Sequence, residues 1–190
     1  MTGPRPDRFP FLDFDGIIAF AHRGGTSTAP ENTMASFENA VGLGYRYLET
    51  DVHRTADGVL VAFHDPSLER IAGDSREISE IEWPELAEIR FDGHSIPRMD
   101  ALLQRFPEAR FNIDPKADSA VEPLVNVIRD HDALDRVCIG AFSDQRIERL
   151  RSLLGPELCT SPGPRSTISA ILPWPQPGEH PCVSIPTTMG

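Results

Sequence analysis

From residue 17 onward, short runs rich in β-branched and aromatic residues alternate with helix-patterned segments of about ten residues, an order that restricts the chain to α/β architectures built on a mainly parallel sheet. The predicted strands are 17–21 (IIAFA), 46–51 (RYLETD), 59–63 (VLVAF), 110–113 (RFNI), 136–141 (RVCIGA), 157–160 (ELCT) and 182–185 (CVSI). Met34, Phe37 and Val41 recur at helical spacing and predict a helix over 32–43, with Thr28 and Glu31 as its capping box. Further helices are predicted over 83–90, 98–105, 118–131 and 143–154, the last with Ile147, Leu150 and Leu154 on one face. One link departs from the alternation. Between Asp51 and Val59 lie too few residues for a helical crossover, so a turn at Asp57-Gly58 is expected instead.

The 190 residues suffice for one good-sized core, and 39% hydrophobic with 25% charged content is ordinary for a globular chain. A single domain over 1–190 is expected, with 1–16 as an N-terminal extension and 161–190 as an irregular end in which PWPQPGEHP at 173–181 suits neither helix nor central strand. The acidic run 77–88 reads as a solvated helix face. No apolar run approaches the roughly 20 residues of a membrane span, and the N-terminus lacks a signal pattern, so a cytoplasmic location is expected. A formal charge of -11 disfavours nucleic acid and anionic lipid as partners and leaves a small anion to be held by local charges. Cys138, Cys159 and Cys182 form no CxxC pair, which argues against a disulfide framework or a zinc site and for buried small hydrophobes.

Strand parity places Glu49 beside Asp51, and Asn112, Asp114 and, if the strand continues that far, Lys116 on one side of another strand. His22, Glu49, Asp51, His64 and Asp114 all fall at C-terminal strand ends, where parallel α/β barrels gather their catalytic groups. Three carboxylates repel one another unless a cation neutralises them, and an all-oxygen set selects a hard ion such as magnesium or calcium, so Glu49, Asp51 and Asp114 are candidate metal ligands. Two histidines can supply the base and the acid of a displacement at phosphorus. Arg23 and Lys116 can hold phosphate oxygens. Glu31 has two readings, closing the capping box with Thr28 or orienting Arg23; Asn112 is either a hydrogen-bonding site residue or a polar group of the barrel interior. Asp65 reads as a cap for the turn at Pro66, and His53, His94, His131 and His180 as structural histidines.

Together, His22-Arg23-Gly24, Pro30-Glu31-Asn32-Thr33, Glu49-x-Asp51, His64-Asp65 and Asn112-Ile113-Asp114-x-Lys116 resemble the glycerophosphodiester phosphodiesterases in order and spacing, over residues 18 to about 160. The resemblance implies a TIM-type (β/α) barrel that hydrolyses glycerophosphodiesters to sn-glycerol 3-phosphate and an alcohol. In it, His22 and His64 would be the acid/base pair, Glu49, Asp51 and Asp114 the metal ligands, and Arg23 and Lys116 the phosphate contacts, with Glu31 and Asn112 behind them. Two departures stand out. Asp114 replaces the family's usual Glu, as in sphingomyelinase D-like phospholipases, which makes a lysophospholipase D or sphingomyelinase D-like activity the alternative substrate class. The family's closing Trp-Thr-Val and Gly-Ile-Ile-Thr-Asp strands have no counterpart here, so the barrel is expected to be incomplete at its C-terminus. From that follow self-association through the opening and, as a further alternative, a catalytically silent metal- or phosphate-binding fragment.

Overall fold

A computed structural model describes residues 9–163. The strand predicted at 182–185, Cys182 and the proline-rich stretch lie outside those residues. Within them a six-stranded sheet runs β1 (Phe20–Ala21), β2 (Tyr47–Arg54), β4 (Arg110–Pro115), β5 (Val137–Ile139), β6 (Cys159–Thr160) in parallel, and β3 (Leu60–Ala62) pairs antiparallel with the last residues of β2. The sheet is unclosed among the described residues, with β1 and β6 as its ends.

The strands are made by alternation. In β4, Phe111, Ile113 and Pro115 are buried toward the helices, and Asn112 and Asp114 take the opposite face. The helices return that pattern at their own period: in α5 (Val121–Asp130), Val121, Leu124, Val125 and Ile128 are buried at the one-, three- and four-residue steps of a single stripe. They pack with Phe37 of α1 (Met34–Gly42), Leu102 and Leu103 of α4 (Met99–Arg105) and Leu150 of α6 (Asp144–Leu154) into the main core. Each fully buried Leu, Ile or Phe contributes about 1.5–3 kcal/mol relative to exposure.

A second core lies beneath β3, where Val61 and Phe63 meet Leu68, Ile78, Ile81, Leu86, Phe91 and Ile96. This corrects the reading of 77–88. The run forms a 3-10 turn (Ile78–Glu80) and a short helix α3 (Trp83–Leu86), and Ile78, Ile81 and Leu86 are buried while its acids stay outside. Another one-turn helix, α2 (Glu69–Ala72), was not predicted. The helix predicted over 83–90 is likewise confined to Trp83–Leu86.

The inner face of the sheet is closed at the N-terminal ends of the strands by residues expected to be an extension. Phe11, in a 3-10 turn (Pro10–Leu12), packs with Tyr47, Cys138 and Cys159. The Tyr47 hydroxyl donates to the Phe11 carbonyl at 2.7 Å, and Arg110 Nη1 donates to the Tyr47 hydroxyl at 2.6 Å and to the Asp13 carbonyl at 2.7 Å. The rings of Phe11, Phe14 and Phe20 each meet Tyr47 edge-on.

Several boundaries differ from expectation, and three of them have clear local reasons. The strand predicted at 17–21 shrinks to Phe20–Ala21 because only Tyr47 and Leu48 of β2 stand opposite it, the chain before Tyr47 being the turn that follows α1. Helix α1 starts at Met34 rather than 32, and its capping box is Thr33 with Ser36, not Thr28 with Glu31. Asn32 holds a left-handed φ of 55°, which an α-helix cannot include. Strand β2 runs on to Arg54 because β3 pairs with it there, across the expected turn at Asp57-Gly58, where Gly58 has φ 94°.

Candidate active site

Strand register brings the carboxylates together. Glu49 stands opposite Asn112 and Asp51 opposite Asp114, on the side of the sheet that carries no helices. Lys116 extends the pairing past β4, its amide donating to the Val52 carbonyl at 3.0 Å. Its ammonium lies 2.6 Å from Asp51 Oδ1 and 2.7 Å from Asp114 Oδ2, so it bridges the two aspartates. Burial would depress the lysine, but the hydrogen bonds and charges of the two aspartates outweigh it and hold its pKa above the ordinary value.

Arg23 is set by a strained turn. It follows β1 in a 3-10 turn (His22–Gly24) with φ 52°, and its amide donates to Glu49 Oε2 at 3.0 Å. Its Nη1 donates to both Glu31 oxygens at 3.1 and 3.2 Å, while its Nε lies 3.3 Å from Asp51 Oδ2 but too far off line to hydrogen-bond it. Gly24 allows the turn. It has φ 78°, and a Cβ there would stand 2.4 Å from Ser36 Oγ on α1.

Of the two readings of Glu31, the ion pair with Arg23 is the one observed. Burial would raise its carboxyl, yet the bond from Arg70 and the charges of Arg23 and Arg70 keep it below the ordinary value. Glu49 goes the other way: burial, with the charge of Asp51 added, raises its pKa despite the Arg23 amide. His22 is largely exposed, with Nε2 3.8 Å from Glu49 Oε2.

His64 follows β3, and its Nδ1 is 2.6 Å from Asp65 Oδ1. A carboxylate only accepts, so Nδ1 carries the proton and Nε2 is the acceptor of the neutral ring. His53 is buried and donates from Nε2 to the His64 carbonyl at 3.0 Å; burial lowers its pKa from the ordinary histidine value. Asn112 makes no bond to these groups: its Oδ1 is buried without a hydrogen-bond partner among the described residues, facing Gly140.

Three participants went unassigned in the sequence. Asn32 donates to Asp51 Oδ2 at 3.3 Å and accepts from the Thr50 hydroxyl at 2.9 Å, and the quoted Pro-Glu-Asn-Thr segment was the signal for it. Asp65 orients His64 rather than serving only a turn, and its adjacency to the histidine was the signal. Arg70 Nε donates to Asp65 Oδ2 and its Nη2 to Glu31 Oε1, both at 2.5 Å; nothing in the local sequence pointed to it.

The donor chemistry suits a hard cation. Lys116 shows that the space between Asp51 and Asp114 accepts positive charge, although no three of the described carboxylate, histidine or cysteine side chains surround one point as a metal's ligands. In the connected network, the carboxylates Glu31, Glu49, Asp51, Asp65 and Asp114 outnumber the cations Arg23, Arg70 and Lys116 by two charges, the amount a divalent ion would supply.

The sequence model of the Glycerophosphoryl diester phosphodiesterase family matches residues 22–153, the span that carries all of these groups. The chain belongs to that family. A Mycobacterium tuberculosis protein named "Probable glycerophosphodiester phosphodiesterase 2" is 39% identical over 191 aligned positions, covering 95% of this chain and 72% of its own length. The chain spans 62% and 58% of the length of two further bacterial relatives. The crystal structure of a glycerophosphodiester phosphodiesterase from Agrobacterium tumefaciens superposes with a TM-score of 0.67 at 29% identity, over 74% of this chain and 64% of that one. An Oleispira antarctica phosphodiesterase solved with the product sn-glycerol-3-phosphate superposes with a TM-score of 0.67 at 25% identity, over 74% and 63%. The family's fold is thus a TIM-type barrel of which the described sheet is an unclosed part.

Proposed function

We propose that this protein hydrolyses glycerophosphodiesters to sn-glycerol 3-phosphate and an alcohol. The observation that carries the reading is the joined network in which His64–Asp65, Glu31–Arg23, Glu49, Asp51, Asp114 and Lys116 meet at one end of the sheet. The relative solved with sn-glycerol-3-phosphate supports the product. A magnesium or calcium ion held by Glu49, Asp51 and Asp114 would neutralise charge on the phosphoryl oxygens when bound.

The protein's own groups divide the remaining work. Arg23, with Glu31 fixing its fork, and Lys116, once released from the aspartates, hold non-bridging phosphate oxygens. His64, protonated on Nδ1 by its bond to Asp65, has Nε2 free to take the proton of the attacking hydroxyl, whether of water or of the substrate's neighbouring glycerol carbon. That leaves His22 to protonate the departing alcohol. Hydrolysis of small diesters is a cytoplasmic activity in this reading, and the exposed β1 end of the sheet, with Ile17 and Phe20 beside it, is where two copies would associate.

A second reading, lysophospholipase D or sphingomyelinase D-like, is favoured by Phe142. It is 88% exposed in the link that follows β5, at the strand ends that carry the site, where it could receive an acyl chain. Release of glycerol 3-phosphate from glycerophosphocholine, compared with choline release from lysophosphatidylcholine, separates the two. His22→Ala and His64→Ala should each cut turnover by about two to four orders of magnitude while leaving metal affinity nearly unchanged. With a p-nitrophenyl diester, whose leaving group needs no acid, the His22→Ala defect should shrink and the His64→Ala defect persist. The reverse pattern would exchange the two roles, and parent-like turnover in either variant would remove that histidine from the chemistry.

A further inference from the structure

Arg70 lies on α2, half exposed, in the segment that carries the second core rather than on the sheet. An exposed ion pair there would ordinarily contribute little to stability. Its two bonds nevertheless go to different parts of the chain. Nε reaches Asp65, whose other oxygen takes the His64 ring proton, and Nη2 reaches Glu31, whose carboxylate takes Arg23. Without a cation between them, Glu31 and Asp65 would be two carboxylates presented to one another, and both would turn toward water. The planar guanidinium satisfies both at once because its donors diverge in a fixed fork, which the point charge of a lysine cannot copy.

We infer that Arg70 is a positioning residue: its guanidinium ties the His64–Asp65 pair to the Glu31–Arg23 pair and so fixes the proton-accepting imidazole relative to the phosphate-holding arm. Its catalytic part rests on the phosphodiesterase reading; the tie itself does not. Since a displacement on the order of 1 Å at a reacting group can cost about a hundredfold in rate, a surface arginine that touches no substrate can still govern turnover.

The test uses the full chain with Arg70→Met and Arg70→Lys. Arg70→Met should lower kcat by about 10- to 100-fold with a smaller change in KM, and Arg70→Lys should recover only part of that loss. Millimolar guanidinium should restore Arg70→Met several-fold, and should not restore His64→Ala. In parallel, a nitrogen-15 spectrum of labelled histidines should show a slowly exchanging Nδ1 proton on His64 in the parent, lost in Arg70→Met and regained with guanidinium. An Arg70→Met variant with parental kcat, or one whose loss ignores guanidinium while the His64 proton signal persists, would overturn the inference. If the parent itself releases no glycerol 3-phosphate, the activity reading fails alone, and the His64 signal decides the tie: its loss in Arg70→Met upholds it, and its persistence refutes it.

Discussion

Replacing Asp51 with Asn separates the two duties this carboxylate is given. Asp51 is 2% exposed, bonded to Lys116 at 2.6 Å on one oxygen and faced by Arg23 and Asn32, each at 3.3 Å, on the other. An Asn side chain keeps one acceptor and turns an amide donor toward a site already crowded with donors. Removing one partner of a fully buried pair costs about 3–5 kcal/mol, but here Lys116 keeps Asp114 and Arg23 keeps Glu31, and both basic side chains are about one-fifth exposed, so about 1–3 kcal/mol is the expected loss. For a chain of this size that is a Tm lower by about 3–9 °C in the presence of a chelator. The metal should respond more sharply. Losing a charged ligand is expected to weaken magnesium or calcium binding by at least about tenfold, measured by titration calorimetry, with turnover falling in step and partly recovering at high metal. A Tm drop with unchanged metal affinity would refute the assignment of Asp51 as a ligand and leave it as the anchor of Lys116 and Arg23 alone.

Lys116→Met removes the cation that competes for the aspartates, so metal should bind about tenfold more tightly by calorimetry while binding of inorganic phosphate weakens. Glu49→Gln bears on pH: burial and Asp51 raise the Glu49 pKa, the folded state therefore holds the proton more tightly than the unfolded one, and stability is lost as pH climbs from the ordinary glutamate value through the raised one. In chelator, Glu49→Gln should accordingly melt at or above the parent at neutral pH, and the difference should vanish in acid; a lower melting temperature at neutral pH would contradict this. Tyr47→Phe leaves the buried Phe11 carbonyl without its donor and Arg110 Nη1 with only the Asp13 carbonyl, a loss of about 1–3 kcal/mol or about 3–9 °C, and chymotrypsin should then cut at Phe11 faster.

What could be read in the sequence was whatever parity and motif spacing encode. Glu49 with Asp51, and Asn112 with Asp114, share faces because strands alternate; that the two pairs stand opposite one another is set by strand register, which the sequence did not show. The bond from Arg70 to Glu31 depends instead on how two segments 39 residues apart meet in space, which no periodicity records. Residues 66–97 escaped for a different reason: their elements are one turn long, so Ile78, Ile81 and Leu86 sit among acids without building a helical stripe. The floor segment carries apolar residues broken by Pro10, and only the partners Tyr47 and Arg110 show where it goes.

That floor has a kinetic side. Phe11 is synthesised 36 residues before the tyrosine that holds its carbonyl, and Asp13 97 residues before the arginine that holds its own. Closing the longer of these loops rather than the shorter adds under about 1 kcal/mol, so equilibrium hardly registers the separation. Time does register it: contacts that distant form late, and Phe9, Phe11 and Phe14 wait without their full cover until β4 and the strands after it exist. Short chymotrypsin pulses during refolding should therefore find Phe11 open after the α5 region has become protected. This floor segment would be the last part of the described fold to lock, and a chaperone that shields aromatic stretches would act on it before any of the catalytic residues had met.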